Sequence, residues 1–172
     1  MNQVTQNIED YIRREVELQH DPSGFTGMVL AWQYAMELYS TGKLIPSEHD
    51  AMVLAYYVKD HEQANVLDYS NNYRHIQVQR KDDPTKNIGA DWRHIPRQME
   101  LLFEDMYGDT LDPRGGENKP LSEDQVDYYT RRLLEIHPWI DGNGRTASIL
   151  RNWLLSTLEE PTDLPFYFGE GN

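Results

Sequence analysis

The chain has no cysteine among its 172 residues. Disulfide staples, zinc ribbons and thiol nucleophiles are therefore excluded, and a reducing compartment fits. Long apolar runs are missing too: no window approaches the roughly 20 residues that a membrane span needs. The opening stretch MNQVTQNIEDYIRREVE is polar, without the apolar centre of a secretory leader. The expectation is a soluble, cytoplasmic protein with no membrane partner. Basic residues are scarce, since 16 Lys and Arg stand against 29 Asp and Glu for a net charge of −13. A phosphate backbone is held mainly by clustered Lys and Arg, so no nucleic-acid partner is expected. Internal repeats and low-complexity tracts are also absent. The length suits one substantial core, and residues 1–172 are read as a single domain.

A small anionic ligand needs only local positive charge, and two segments supply it. Residues 73–97 hold six cations (Arg74, Arg80, Lys81, Lys86, Arg93, Arg97) against three carboxylates, and residues 130–151 hold four against two.

Helical periodicity dominates the rest. Val4, Ile8, Tyr11, Ile12 and Val16 predict an amphipathic helix over 4–18, stopped by DPSG at 21–24. A more apolar helix is predicted over 25–39, and a third over 48–59, with Ser47 and Asp50 as a capping pair. From Tyr73 the period changes to the alternation of His75, Ile76, Gln77, Val78 and Gln79, which predicts one short strand of a hairpin. Helical spacing returns over 95–106, and DPRGGENKP at 112–120 is a loop. Ser122 and Gln125 then form a capping box, with Leu121 and Val126 placed as a hydrophobic staple. That helix is expected to end near Ile136, its apolar face formed by Val126, Tyr129, Leu133 and Ile136. Pro138 and Gly142 break the backbone before the period resumes at Ala147, Leu150, Leu154 and Leu158.

HPWIDGNGRTAS at 137–148 is thus a loop that leads into a helix N-terminus. Backbone N–H groups at a helix start have no internal partners, and the helix dipole favours an anion there. Gly142 and Gly144 permit close approach. Arg145 brings fixed donors suited to phosphate, and Asp141 offers a hard oxygen for a magnesium ion bridging phosphates. His137 stands before this cradle, and an imidazole can take a proton from an incoming hydroxyl. Together these residues point to transfer from a nucleotide to an alcohol.

The segment resembles the signature of the Fic (Fido) family, H-P-F-x-[D/E]-G-N-G-R-x-x-R, departing from it at Trp139 and Ser148. NYRHIQVQ resembles the family's flap strand, and WRHIPRQMELLFEDM the helix after it. The resemblance implies a mainly α fold, a helical bundle with a small β-hairpin flap near 73–90 and a motif core over 121–158. It implies AMP transfer from ATP, with magnesium, to a Ser, Thr or Tyr hydroxyl of a target protein. His137 would be the general base, Asp141 the metal ligand, Gly142, Asn143 and Gly144 the anion nest, and Arg145 the phosphate clamp. Ile76, Gln77 and Val78 of the flap would align the target chain by strand-like pairing. Relatives move UMP or phosphocholine. The Doc branch, which moves a phosphoryl group, has lysine at the second nest glycine, so Gly144 favours nucleotidyl transfer.

Trp139 is read as a packing aromatic, Arg131 and Arg132 as solvent-facing, and His20, His49, His61, His75 and His94 as surface or satisfied histidines. Ser148 replaces an arginine that in many relatives grips the γ-phosphate, or pairs with an inhibitory glutamate from the same chain or a separate antitoxin. Serine can do neither. Arg151 is a partial substitute at best and is expected instead in a surface ion pair. The best internal match to the glutamate motif is TQNIED, at Thr5 to Asp10, which would make Glu9 the switch; its ending departs from the motif. The expectation is no glutamate switch and weak γ-phosphate binding. A degenerate protein that binds nucleotide or a partner without turnover is the alternative, and transfer of another phosphate-linked group a third.

Overall fold

The computed structural model describes residues 3–60 and 72–165. Their regular structure is α1 (Gln6–Leu18), α2 (Phe25–Ser40), α3 (Glu48–Ala55), β1 (Val78–Gln79), β2 (Asn87–Ile88), α4 (Ile95–Thr110), α5 (Glu123–Ile136) and α6 (Asn143–Leu154). The fold is mainly helical with a small hairpin, as the sequence predicts.

α6 runs through the middle, every one of its residues buried, and packs against α5, α2 and α3. Gly144, Ala147 and Ser148 keep it thin enough for neighbours on all sides. Buried polar groups are costly unless paired, and most of those on α6 are. Asn152 accepts the Thr162 N–H at 2.7 Å and donates to the Ser148 carbonyl at 2.9 Å, while the Trp153 indole donates to the Lys43 carbonyl at 2.8 Å. Arg151 is buried and not at the surface: its Nε donates to Asp127 at 2.8 Å and its Nη1 to Thr162 at 3.0 Å. It ties α5 to the segment after α6, since its partners Asp127 and Glu123 are on α5 and Thr162 lies in that segment.

The surrounding helices present the faces their spacing predicts. Ile8, Tyr11, Ile12, Glu15 and Val16 of α1 are buried, and the Tyr11 ring lies 5.4 Å from that of Trp32 on α2. On α5 the buried face is Val126, Tyr129, Leu133 and Ile136, with Thr130. Both expected capping boxes form, Ser47 with Asp50 and Ser122 with Gln125; losing such a cap costs ~1 kcal/mol.

Two elements differ from expectation. The third helix keeps α geometry only to Ala55 and continues as a π turn, Tyr56–Asp60. The wider turn re-aims the side chains after it, a device common at functional sites. The strand expected over 75–79 narrows to Val78 and Gln79, which pair with Ile88 and Asn87. The Ile76 carbonyl is taken by the Arg74 guanidinium at 2.8 Å, and the His75 ring packs against Trp92, centroids 6.0 Å apart. Among the described residues no helix is long and apolar enough to cross a membrane. His61 lies outside them.

Candidate active site

α5 ends at His137, whose backbone takes a left-handed conformation (φ 52°, ψ 63°), and Pro138 then has no N–H with which to continue the helix. The chain turns again at Gly142, also left-handed (φ 81°), where a Cβ would come within 2.9 Å of Val58. Between these turns Asn143 locks the loop: its Oδ1 accepts the Trp139 N–H at 3.0 Å and its Nδ2 donates to the Trp139 carbonyl at 2.8 Å. What Asn143 offers an anion is therefore its backbone N–H, together with those of Gly144 and Arg145 in the first turn of α6. Trp139 is buried packing, its indole donating to Asn72 at 3.0 Å.

Arg145 is almost fully buried, and its charge is answered within the chain. Its Nη1 donates to Asp21 Oδ2 at 2.7 Å, and its Nη2 lies 3.6 Å from Asp141. Lys59, aimed by the π turn, reaches Asp141 at 3.0 Å and Asp21 at 3.4 Å. Two cations and two carboxylates thus form one knot at the start of α6. Burial raises both carboxyls, but hydrogen bonds and opposite charge outweigh it. Asp21 is held below its ordinary value by Ser23 and Arg145, and Asp141 by Lys59 and the Gly142 N–H. Both are ionised at neutral pH.

The segment before α2 covers the nest. A Cβ on Gly144 would meet the Gln19 amide at 3.1 Å, and one on Gly24 would overlap the Arg145 guanidinium. Asp21 thus takes one face of the Arg145 guanidinium.

His137 is a different environment. It is 1 % exposed, and among the described residues neither ring nitrogen has a hydrogen-bond partner. Burial pushes its pKa down to about 4, the nearby Arg74 charge pushes the same way, and Asp141 opposes them. The imidazole is neutral at pH 7, with a lone pair that no protein donor claims.

Beside it, three consecutive residues read against HPW. Asn72 holds the Trp139 indole, the Tyr73 ring faces Trp139 at 6.0 Å, and the Arg74 N–H donates to the Pro138 carbonyl at 2.9 Å. The second flap arm closes on the same point, since a Cβ on Gly89 would lie 2.6 Å from His137 Cβ. A cavity of about 450 Å³ opens behind that arm, lined by Gly89, Ala90, Gln98, Leu101, Arg132 and Glu135 among others.

The structure brings Asp141, Gly142, Asn143, Gly144 and Arg145 together at one turn, with His137 at the other end of the same loop. Of the expected flap residues, Val78 is in the ribbon, while Ile76 and Gln77 precede it, Ile76 being 56 % exposed. Arg132 is only partly exposed, bonded to Asp105 at 2.8 Å.

Ser148 does not face an open subsite. It is fully buried, its hydroxyl bonded to that of Tyr11. An arginine placed there would meet Tyr11 and the core. The carboxylates near Arg145 are Asp21 and Asp141, in contact, and Glu15, through its field. Glu9, singled out by its motif, sits farther back on α1. Sequence reasoning missed Asp21, Lys59 and Arg74. Asp21 sat in a DPSG read as a helix stop, Lys59 depended on a π turn that periodicity does not reveal, and Arg74 was counted only as charge.

No curated protein matches the chain. Residues 49–155, well over half of the chain, match the Fic/DOC family. That span holds all of α3 but its first residue, the flap, α4, α5, the loop of His137 and α6, while the covering segment at 19–24 precedes it, and with it the chain belongs to the Fic/DOC family, whose members are typically transferases.

Proposed function

We propose that the protein transfers AMP from ATP, with magnesium, to a Ser, Thr or Tyr hydroxyl of a target protein. The observation that carries this reading is the pairing of a buried, neutral, partnerless imidazole with a glycine-flanked helix start that holds an arginine. The target hydroxyl gives its proton to His137 while its oxygen forms a bond to the α-phosphorus. The bond from that phosphorus to the β-bridging oxygen breaks, and pyrophosphate leaves. The first-turn N–H groups and Arg145 hold the phosphates, so the protein's part is alignment and charge stabilisation.

Magnesium commonly binds through one or two carboxylates and the substrate's own phosphates. Asp141 fits that: it is ionised, its side chain is 39 % exposed, and its Oδ2 faces an ammonium. A metal there would neutralise phosphate charge. Among the described residues there is no cluster of three or more ligating side chains, so the nucleotide would have to supply the remaining oxygens. To bind, its phosphates must replace Asp21 on Arg145. Exposed Ile76 and the main chain up to Val78 would line up the target.

A second reading, nucleotide binding without turnover, draws on the Asp21–Arg145 pair and the buried Ser148. One experiment separates them. The protein is incubated with magnesium and a lysate, using ATP labelled at the α- or the γ-phosphate, and the other nucleotides in parallel. Retention of α-label on protein, absent γ-label and abolished by EDTA, supports AMP transfer. Retention of γ-label would point to phosphoryl transfer, and nucleotide binding with no incorporation would establish the second reading.

A further inference from the structure

Among the described residues, Arg74 is a buried cation without a carboxylate in hydrogen-bond contact. It is 2 % exposed, and its guanidinium donates to main-chain carbonyls: Nε to His137 at 2.7 Å, Nη1 to Ile76 at 2.8 Å, and Nη2 to Ala90 at 2.6 Å and Ile136 at 3.4 Å. Those carbonyls belong to three pieces of chain: the approach to β1, the exit from β2, and the end of α5. A lysine has a point charge and no planar fork, so it cannot reach all three at once.

Two roles compete for this side chain. One is stability: the last carbonyls of a helix attract a cation, and the Ile136 and His137 carbonyls are such groups. The other is positioning, and the contacts on both flap arms favour it, since a helix end alone would need neither Ile76 nor Ala90. We propose that Arg74 is a positioning residue that joins both arms of the flap to the backbone of His137, so that a target chain lying on the flap is set in register with the group that takes its proton. This rests on the reading of His137 as the base. Gly89 belongs to the same joint, because its bare α-carbon is what lets the second arm lie against both His137 and Arg74.

The charge has a second consequence. The charged groups whose fields reach the His137 ring are Arg74, from the segment before β1, and Asp141, from the loop before α6; Asp91 after β2 acts on Arg74. Arg74 and burial together keep the ring neutral. Removing the guanidinium should therefore move the imidazole's titration upward, while displacing the ring without removing charge should not.

The test compares Arg74→Met, Arg74→Lys and Gly89→Ala in the full chain, with two readouts. The first is the His137 imidazole titration by NMR, without nucleotide. The second is transfer against pH, with target and nucleotide varied separately. Arg74→Met should raise the imidazole titration and the acid limb of the rate profile. It should also lower kcat/KM for the target by ~10-fold or more, with nucleotide affinity unchanged. Arg74→Lys should leave the titration near that of the parent yet still lose target kcat/KM, because the charge survives and the three-way joint does not. Gly89→Ala should lower target kcat/KM with no change in titration. If Arg74→Met and Arg74→Lys only lower the melting temperature, leaving titration and target kcat/KM as in the parent, the role is structural and the inference is overturned. Should Arg74→Met fail to fold, Arg74→Lys and Gly89→Ala decide it: target kcat/KM unchanged in both overturns the inference. If the parent transfers nothing from any nucleotide, the function proposed above fails, while the NMR titration still tests the tie between Arg74 and His137.

Discussion

The two ends of the loop at 137–145 treat their polar groups in opposite ways. At the start of α6 every charge is answered: Arg145 by Asp21, and Lys59 by both Asp21 and Asp141. At the end of α5 the imidazole has no hydrogen-bond partner among the described residues, and Arg74 beside it, whose field outweighs that of Asp141, has the same sign that the ring would carry if protonated. A site that must exchange one anion for another can rest with an internal anion in place, since a buried unpaired arginine would be costly. A group that must accept a proton is kept ready by leaving its lone pair unclaimed. On the proposed function the contrast divides the site into a half whose charges are paired until ligand arrives, although Arg145 Nε and Thr146 Oγ1 have no partner among the described residues, and a half whose imidazole is held unpaired.

The hardest way to break this contrast is to remove the bare group. His137→Ala should lower transfer by ~10²–10⁴-fold, the range for losing a positioned base. Nucleotide affinity should stay within a few-fold, because the phosphate contacts lie at the other end of the loop. Isothermal titration alongside a transfer assay checks both, and parental transfer rates in the variant would remove His137 from the mechanism.

The unsatisfied half also leaves a mark on stability. An unfolded histidine titrates near 6.5, whereas His137 in the fold titrates at about 4. Below pH 6.5 the unfolded chain takes up a proton that the folded one refuses, so this contribution is complete above pH 6.5 and is lost as pH falls to about 4. Its size is about 3 kcal/mol. Denaturant midpoints of the parent should drop across that window more steeply than those of His137→Ala. Glu15, raised chiefly by burial and also by Asp163, works in the opposite sense. It does so equally in both proteins, so the difference isolates the histidine. Parallel pH curves for the two would mean that the ring is solvated in solution.

A smaller effect is expected from opening the satisfied half. Asp21→Asn removes the internal anion from Arg145, a charge-assisted contact worth ~1.5–3 kcal/mol, which corresponds to ~10-fold or more in affinity. Nucleotide should bind more tightly by about that factor, while the unliganded variant melts lower because Arg145 has lost its counter-charge. Weaker nucleotide binding in Asp21→Asn would mean that the carboxylate assists the phosphates, by way of metal, and does not compete with them.

The same contrast marks how far the sequence could be read. The loop of His137 was legible because its chemistry is local: Pro138, Gly142 and the residues at fixed offsets from them define turns and a helix start whatever else the chain does. The six helices of the described residues followed from periodicity, as did the buried faces of α1 and α5 but not the burial of α6 on every side, and both capping boxes followed from side chains three residues apart. The covering of the nest was not legible, because Asp21 meets Arg145 only through the packing of α1 and α2 on α6, and no local rule encodes that distance. The π turn that delivers Lys59 is equally hidden, since YYVKD satisfies helical spacing. Glu9 was the best, degenerate, match to the glutamate motif and no switch was expected from it; the carboxylates that packing puts near Arg145 are Asp21, Asp141 and Glu15.

The smallest effects concern Ser148. A second arginine at this position would reach outward along a phosphate chain, but Ser148 is fully buried and bonded to Tyr11, whose ring is packed on Trp32. Beyond Arg145, the remaining cation on α6 is Arg151, which is taken up by Asp127 and Thr162, so on the proposed function a third phosphate adds charge without adding a partner on this helix. ATP and ADP should bind within about threefold of each other, against the ~10-fold or more that one charge-assisted contact would provide. Ser148→Ala should leave that ratio unchanged and lower stability by about 1 kcal/mol, the usual value of a single hydrogen bond, because the Tyr11 hydroxyl loses a buried partner. Glu9→Ala should change neither transfer nor nucleotide affinity. Titrations of both nucleotides into the parent and the two variants, with thermal melts, measure all of this. Strong ATP selectivity in the parent would place an undetected cation at the distal phosphate, and activation by Glu9→Ala would restore the glutamate switch that the packing of α1 argues against.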